Sequence, residues 1–220
     1  MVLIGLALLL GLTPSAGSAP ARVAGILATH GAPSDDGVVP AKVGEALLAT
    51  EDSRYHSDWA IDPQGTVRAV WGVVSRNPNE GGATIEVQLA KMLYTPGSTD
   101  PISLTEQVAI AIKLDHDFSK TRILALYLDA AYFGDGAYGV TDAAEHYFGV
   151  EPDQLTWGQA TLLAGLVQAP SNYDPHGHLK AALTRRAHVL ARLVAVGTIS
   201  RSEAKSIEGE QLKPVIAFYG

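Results

Sequence analysis

"SKTRILALYLDAAYFGDGAYGVTDAAEHYFG", Ser119 to Gly149, holds two apolar-periodic segments on either side of a glycine-rich turn. In Ser119–Tyr132 and again in Val140–Phe148 the apolar residues recur three or four apart, the spacing of one buried helix face. The same period runs through residues 40–50, 63–75, 84–94, 103–115, 156–167, 180–196 and 200–207. Cap chemistry agrees. Asp62-Pro63 supplies an N-cap and a first-turn proline, while Ser103 with Glu106, Thr156 with Gln159 and Ser200 with Glu203 have capping-box spacing. Pieces rich in Pro and Gly, such as "THGAPSDDGVVP" and "SNYDPHGH", read as connectors. No alternating strand pattern stands out, so the expected fold is mainly α, with Tyr132, Phe133, Tyr147 and Phe148 packing in the core around the "GDGAYG" turn.

Composition narrows the class. The 220 residues are 47% hydrophobic and 18% charged, enough for one globular domain with a real core. A net charge of −7 with no run of Lys or Arg argues against nucleic acid, whose phosphates reward clustered positive charge. Without Cys there is no disulfide, no thiolate metal site and no Cys nucleophile. The seven histidines show no H-E-x-x-H or similar spacing, which argues against a protein-built metal site. At the N-terminus, "VLIGLALLLGL" followed by the small-residue stretch "TPSAGSAPA" reads as a hydrophobic export signal or partial membrane anchor over residues 1–21, ahead of a single domain over 22–220. The apolar run is shorter than the roughly 20 residues of a full span.

Glu51 and Asp52 stand where the apolar segment "EALLAT" ends, so an apolar wall meets solvent beside two carboxylates. Burial against Leu47 and Leu48 disfavours the charged form of such a group and prepares it to act as a base near neutral pH. The stretch around them, "ATEDSRYHSDWAIDPQGTVRA", resembles the first signature of the family 51 glycosyltransferases, with Glu51, Asp52, Ile61, Asp62, Arg68 and Ala69 in place and Tyr55, Asp58 and Ala60 departing from it. "EGGATIEVQLAKMLY" is similar to the second, keeping Gly81, Gly82, Thr84, Ile85, Gln88, Leu89 and Lys91, while Ala83, Glu86, Val87 and Met92 differ. The opening stretch follows a third signature almost throughout, with Asp129 for its Asn, and "QATLLAGLVQAPSNYDP" and "RRAHVLARL" follow the C-terminal part. The resemblance runs in order from Val38 to Gly197.

That resemblance implies a lysozyme-like, mainly α fold with a small membrane-proximal lobe, acting on lipid II at the outer face of the cell membrane to extend glycan strands. Trp71 lies between the first two signatures and is either core or part of that lobe. Glu51 takes the place of the general base. Asp52, Gly82, Thr84, Gln88, Lys91, Lys120 and Gln168 take substrate-binding positions, with Lys113 and Arg122 as further nearby cations. No tightly bound cofactor is implied, only a divalent cation, Mg or Mn, accompanying the pyrophosphate. Expected partners are lipid II, nascent glycan, the membrane and other cell-wall synthesis proteins. One departure bears on activity: the family's R-K-x-x-E falls on Ser103, Leu104 and Gln107. Glu106 is adjacent, but helix neighbours point about 100° apart, so it is either a displaced catalytic acid or the capping-box partner of Ser103. A lipid II-binding pseudoenzyme or scaffold is therefore a second reading, and a lysozyme-like glycan hydrolase a third.

Overall fold

The computed structural model describes residues 10–33, 37–57, 83–210 and 212. In chain order the helices are α1 (Ala19–His30), α2 (Ala41–Glu51), α3 (Ile85–Tyr94), α4 (Pro101–Asp117), α5 (Lys120–Ala130), α6 (Val140–Phe148), α7 (Trp157–Leu166), α8 (Pro170–Tyr173), α9 (Pro175–Val196) and α10 (Arg201–Glu208). Strands β1 (Tyr132–Gly134) and β2 (Ala137–Tyr138) lie between α5 and α6. The described chain is thus mainly α, as its periodicity requires. The expected helix at 63–75 and the lobe with Trp71 lie outside the described residues.

Contacts divide the chain into two compact units, Met1–Val23 with Arg54–Tyr127 and Ala24–Ser53 with Leu128–Gly220. In the first, α3 packs on α4, burying Ile85, Leu89 and Leu93 and, from α4, Ile110 and Leu114. The stretch preceding α1 is built into this unit. Lys113 donates to the carbonyls of Thr13 (2.7 Å) and Pro14 (3.0 Å), and the Tyr94 hydroxyl donates to that of Ser15 (3.0 Å). Arg22 donates to the Leu93 carbonyl at 3.1 Å and lies 4.3 Å from the centre of the Tyr94 ring.

In the second unit α7, α2 and α9 pack against one another. Gly158 and every residue of α7 from Ala160 to Leu166 are buried, so this helix has no polar face and must be covered on all sides. Its Thr156–Gln159 capping box forms as expected, as does that of Ser200–Glu203 on α10.

Four expectations change. Residues 19–30, unassigned as a helix from sequence, form α1 with Val23 and Leu27 buried. Ser103 does not cap α4. The helix starts at Pro101, and Asp100 Oδ1 accepts from the amides of Ile102 (3.0 Å) and Ser103 (3.1 Å), because an Asp N-cap with proline at the first helical position leaves fewer amides to satisfy. Glu106 is therefore not a capping-box partner. A helix running to Tyr132 is also excluded: α5 ends at Ala130, and Tyr132 and Gly134 pair antiparallel with Tyr138 and Ala137. The two loop residues, Asp135 (φ 48°) and Gly136 (φ 82°), both have positive φ, the geometry that Asp-Gly favours in a two-residue hairpin. Finally, α9 begins at Pro175 rather than 180, with Asp174 accepting from the His176 amide at 3.0 Å and the helix breaking at His178.

Candidate active site

The last turn of α2 presents Glu51 beyond a stripe of buried Val43, Ala46, Leu47 and Ala49. Asp52 follows as the C-cap, its amide donating to the Leu48 carbonyl at 3.0 Å. Arg185 on α9 donates from Nη2 to Glu51 Oε1 at 2.9 Å, and the side chains are only 10% and 18% exposed. At that depth the pair is poorly screened, and the guanidinium fixes the direction of the carboxylate. This cation lies 134 residues from Glu51 along the chain, beyond any local sequence pattern. Two turns further along α9, Arg192 Nε donates to the Ala49 carbonyl at 3.0 Å. His188 lies between these arginines; burial and then the charges of Arg185 and Arg192 push its imidazole pKa down. Tyr173, His178, Lys180, Thr184, Arg185 and His188 line a cleft of about 710 Å³.

The first unit holds most of the other sequence-predicted site residues. Thr84 caps α3, its hydroxyl accepting from the Val87 amide at 3.4 Å. Gln88 is engaged at both ends of its amide, donating to the Ala83 carbonyl (2.9 Å) and accepting from the Tyr127 hydroxyl (3.0 Å). Lys120 lies 2.6 Å from Glu86 Oε1 and 2.8 Å from Asp115 Oδ1, with its ammonium 4.9 Å from the centre of the Tyr55 ring. Burial works against that ammonium, but its hydrogen bonds to Asp115 and Glu86 and their negative charges outweigh it and raise its pKa. Lys120 is thus neutralised within the protein. Lys91, by contrast, is exposed and has no carboxylate partner among the described residues.

Gln107 is 2% exposed and donates to Thr95 Oγ1 at 2.8 Å, while Glu106 beside it is half-buried. The residue in the second acidic position is accordingly a core hydrogen-bonding group. Gln168 is exposed just after α7, in the second unit with Glu51 and Asp52. Gly82, like Gly81, Ile61, Asp62, Arg68 and Ala69, lies outside the described residues. The lack of ligand spacing among the histidines does not carry over to three dimensions, because Asp135, His146 and His176 bring three ligand atoms within 4.8 Å of one another.

A model of the transglycosylase family matches residues 29–194. The chain belongs to the transglycosylase family. This is the family its motifs resemble, the family 51 glycosyltransferases. Penicillin-binding protein 1F of Bacillus subtilis is 35% identical over 192 residues, covering 87% of this chain and 27% of that one. A Cupriavidus necator protein bearing a transglycosylase name is 35% identical over 179 residues, 81% of this chain and 76% of that one. A crystal structure of penicillin-binding protein 1A from Haemophilus influenzae has 31% sequence identity and a TM-score of 0.42, over 59% of this chain and 16% of that one. The transglycosylase chain thus spans about a quarter of the length of the penicillin-binding protein 1F it matches.

Proposed function

We propose that this transglycosylase is a peptidoglycan glycosyltransferase that polymerises lipid II, with Glu51 as general base. The acceptor GlcNAc 4-hydroxyl gives its proton to the Glu51 carboxylate as its oxygen attacks the anomeric carbon of the donor MurNAc, and undecaprenyl pyrophosphate departs with the bonding pair. A base for this step must be ionised and fixed in direction. The observation that carries the reading is that Glu51, the motif carboxylate in the last turn of α2, is held by Arg185 at 2.9 Å.

Charge developing on the leaving pyrophosphate calls for a cation. Lys91, at the family position and exposed, fills that role better than Lys120, whose charge Glu86 and Asp115 already take up. Mg or Mn would enter with the substrate as the counter-ion of its pyrophosphate. We place the reaction at the cell membrane, where a polyprenyl-linked substrate is held, on its extracytoplasmic face and beside other cell-wall synthesis proteins. No described helix is long and apolar enough to cross a membrane.

The deciding experiment is polymerisation of labelled lipid II in detergent with Mg or Mn, comparing wild type with Glu51→Gln. Glycan product lost in Glu51→Gln supports the proposal; product unchanged refutes the role of Glu51. Gln107, buried against Thr95 where the family has an acid, favours the pseudoenzyme as the second reading. It predicts lipid II binding without polymer.

A further inference from the structure

Three elements of the second unit meet at the β1–β2 turn: the turn itself, the C-terminal half of α6 and the start of α9. Each contributes one metal-ligating side chain. His146 Nε2 and His176 Nδ1 both lie 2.9 Å from the same oxygen, Asp135 Oδ2. Asp174 Oδ1 is 3.6 Å from His176 Nδ1. We propose that Asp135, His146 and His176 form a binding site for one divalent transition-metal ion, with zinc as the representative ion and water completing its coordination.

The geometry is close to what such an ion requires. With metal–ligand bonds of about 2.0–2.1 Å, a tetrahedral site separates its ligand atoms by ~3.3 Å, so each histidine must part from Asp135 by a few tenths of an ångström, while the two imidazole nitrogens already lie within 4.8 Å of each other. Two imidazoles select zinc, nickel or copper over magnesium and calcium, which take oxygen ligands. Neutral imidazoles leave the charges of Asp135 and Asp174, which together match a divalent cation. The two histidine side chains are about one-third exposed and that of Asp135 is 41% exposed, so the site opens to solvent.

The hairpin turn sets the backbone of Asp135. Asp135 is the one non-glycine residue with positive φ among those described, at 48°. This conformation is uncommon for a residue with a side chain, though Asp adopts it more readily than most. It occurs at the residue on which both imidazoles converge. Behind the cluster the Tyr147 ring stacks edge-on to His146 at 4.9 Å and its hydroxyl donates to the Phe133 carbonyl, fixing the wall of the site.

The test is calorimetric titration of the purified full chain with zinc chloride after chelator treatment, with magnesium chloride as comparison. Saturable zinc binding at one ion per chain is expected, with magnesium giving none at the same concentrations. Asp135→Asn, His146→Gln and His176→Gln should each weaken zinc at least tenfold. His116→Gln, which removes an isolated His–Asp pair at the end of α4, should not change it. Asn accepts positive φ as Asp does, so Asp135→Asn keeps the turn, and circular dichroism verifies the fold. Should that variant not fold, His146→Gln on α6 gives the same reading. No saturable binding by wild type overturns the proposal. So does zinc affinity that survives all three substitutions, which would leave the cluster a hydrogen-bonded brace.

Discussion

Lys120→Met separates a structural role for this lysine from a substrate-binding one. Its ammonium lies 2.6 Å from Glu86, whose side chain is 1% exposed, and 2.8 Å from Asp115, whose side chain is 27% exposed. Removing the cation strands Glu86 as a buried charge whose second oxygen already lacks a hydrogen-bond partner among the described residues. Breaking a buried pair in this way costs about 3–5 kcal/mol, whereas the more exposed Asp115 contact adds under ~1 kcal/mol. Methionine keeps an unbranched apolar side chain of similar bulk, so the loss reports the ammonium, including its contact with the Tyr55 ring, rather than volume. Urea unfolding at pH 7 should show about 3–5 kcal/mol lost in Lys120→Met and most of it recovered in the Glu86→Gln, Lys120→Met double variant, because an amide carries no stranded charge. A loss below ~1 kcal/mol, or a double variant as unstable as the single, would refute the reasoning. A double variant that is stable yet makes no glycan would return Lys120 to substrate binding.

Other substitutions probe the site and its supports. Arg185→Met should cut polymerisation at least tenfold while Glu51 remains in place, read from initial rates on lipid II; an unchanged rate would remove Arg185 from the machinery. Gly139→Ala should lose about 2–3 kcal/mol in urea unfolding, since its φ is 81° and a Cβ would lie 3.1 Å from Leu27 Cδ2 and 3.2 Å from the Asp129 carbonyl. The His188 pKa is depressed in the fold, so the unfolded chain takes up its proton first and stability falls as pH drops below about 6.5. His188→Gln should flatten the pH dependence of the urea midpoint in that window, and an unaltered profile would assign the acid sensitivity elsewhere. Gln107→Glu places a carboxylate at a 2%-exposed position, so it should destabilise at pH 7 and less toward pH 4, measured by thermal unfolding at both.

What could be read from the sequence follows the range of the interactions involved. α7 and its cap are local, because the Thr156–Gln159 box and the apolar residues that follow it sit within a dozen residues. Family spacing also picked out Glu51, which stands at the end of a helix as the apolar segment before it requires. The hairpin shows in the sequence only at its turn. Asp135-Gly136 is the turn signal, yet the flanking strands are too short to show alternation. At α4 two acceptable caps compete within four residues, and Asp100 with Pro101 prevails over Ser103 because it satisfies two amides at once. Arg185 and the Asp135–His146–His176 cluster were beyond local pattern, since their partners are distant in sequence and only the fold joins them. Lys120 shows the reverse limit: a cation in a motif looks available until Glu86 and Asp115 come beside it.

Arg185 and Arg192 grip the end of α2 at two points, one on the Glu51 side chain and one on the Ala49 carbonyl. A single tether would leave the carboxylate free to swivel; a two-point mount fixes both where the helix stops and how far it is rotated. The aim of the carboxylate is therefore set by the phase of α9, through arginines two turns, or about 10 Å, apart. One residue inserted between them would rotate one anchor by about 100° against the other and release the mount, although every side chain in it would still be present. The same insertion beyond Val196 would leave the aim of Glu51 untouched.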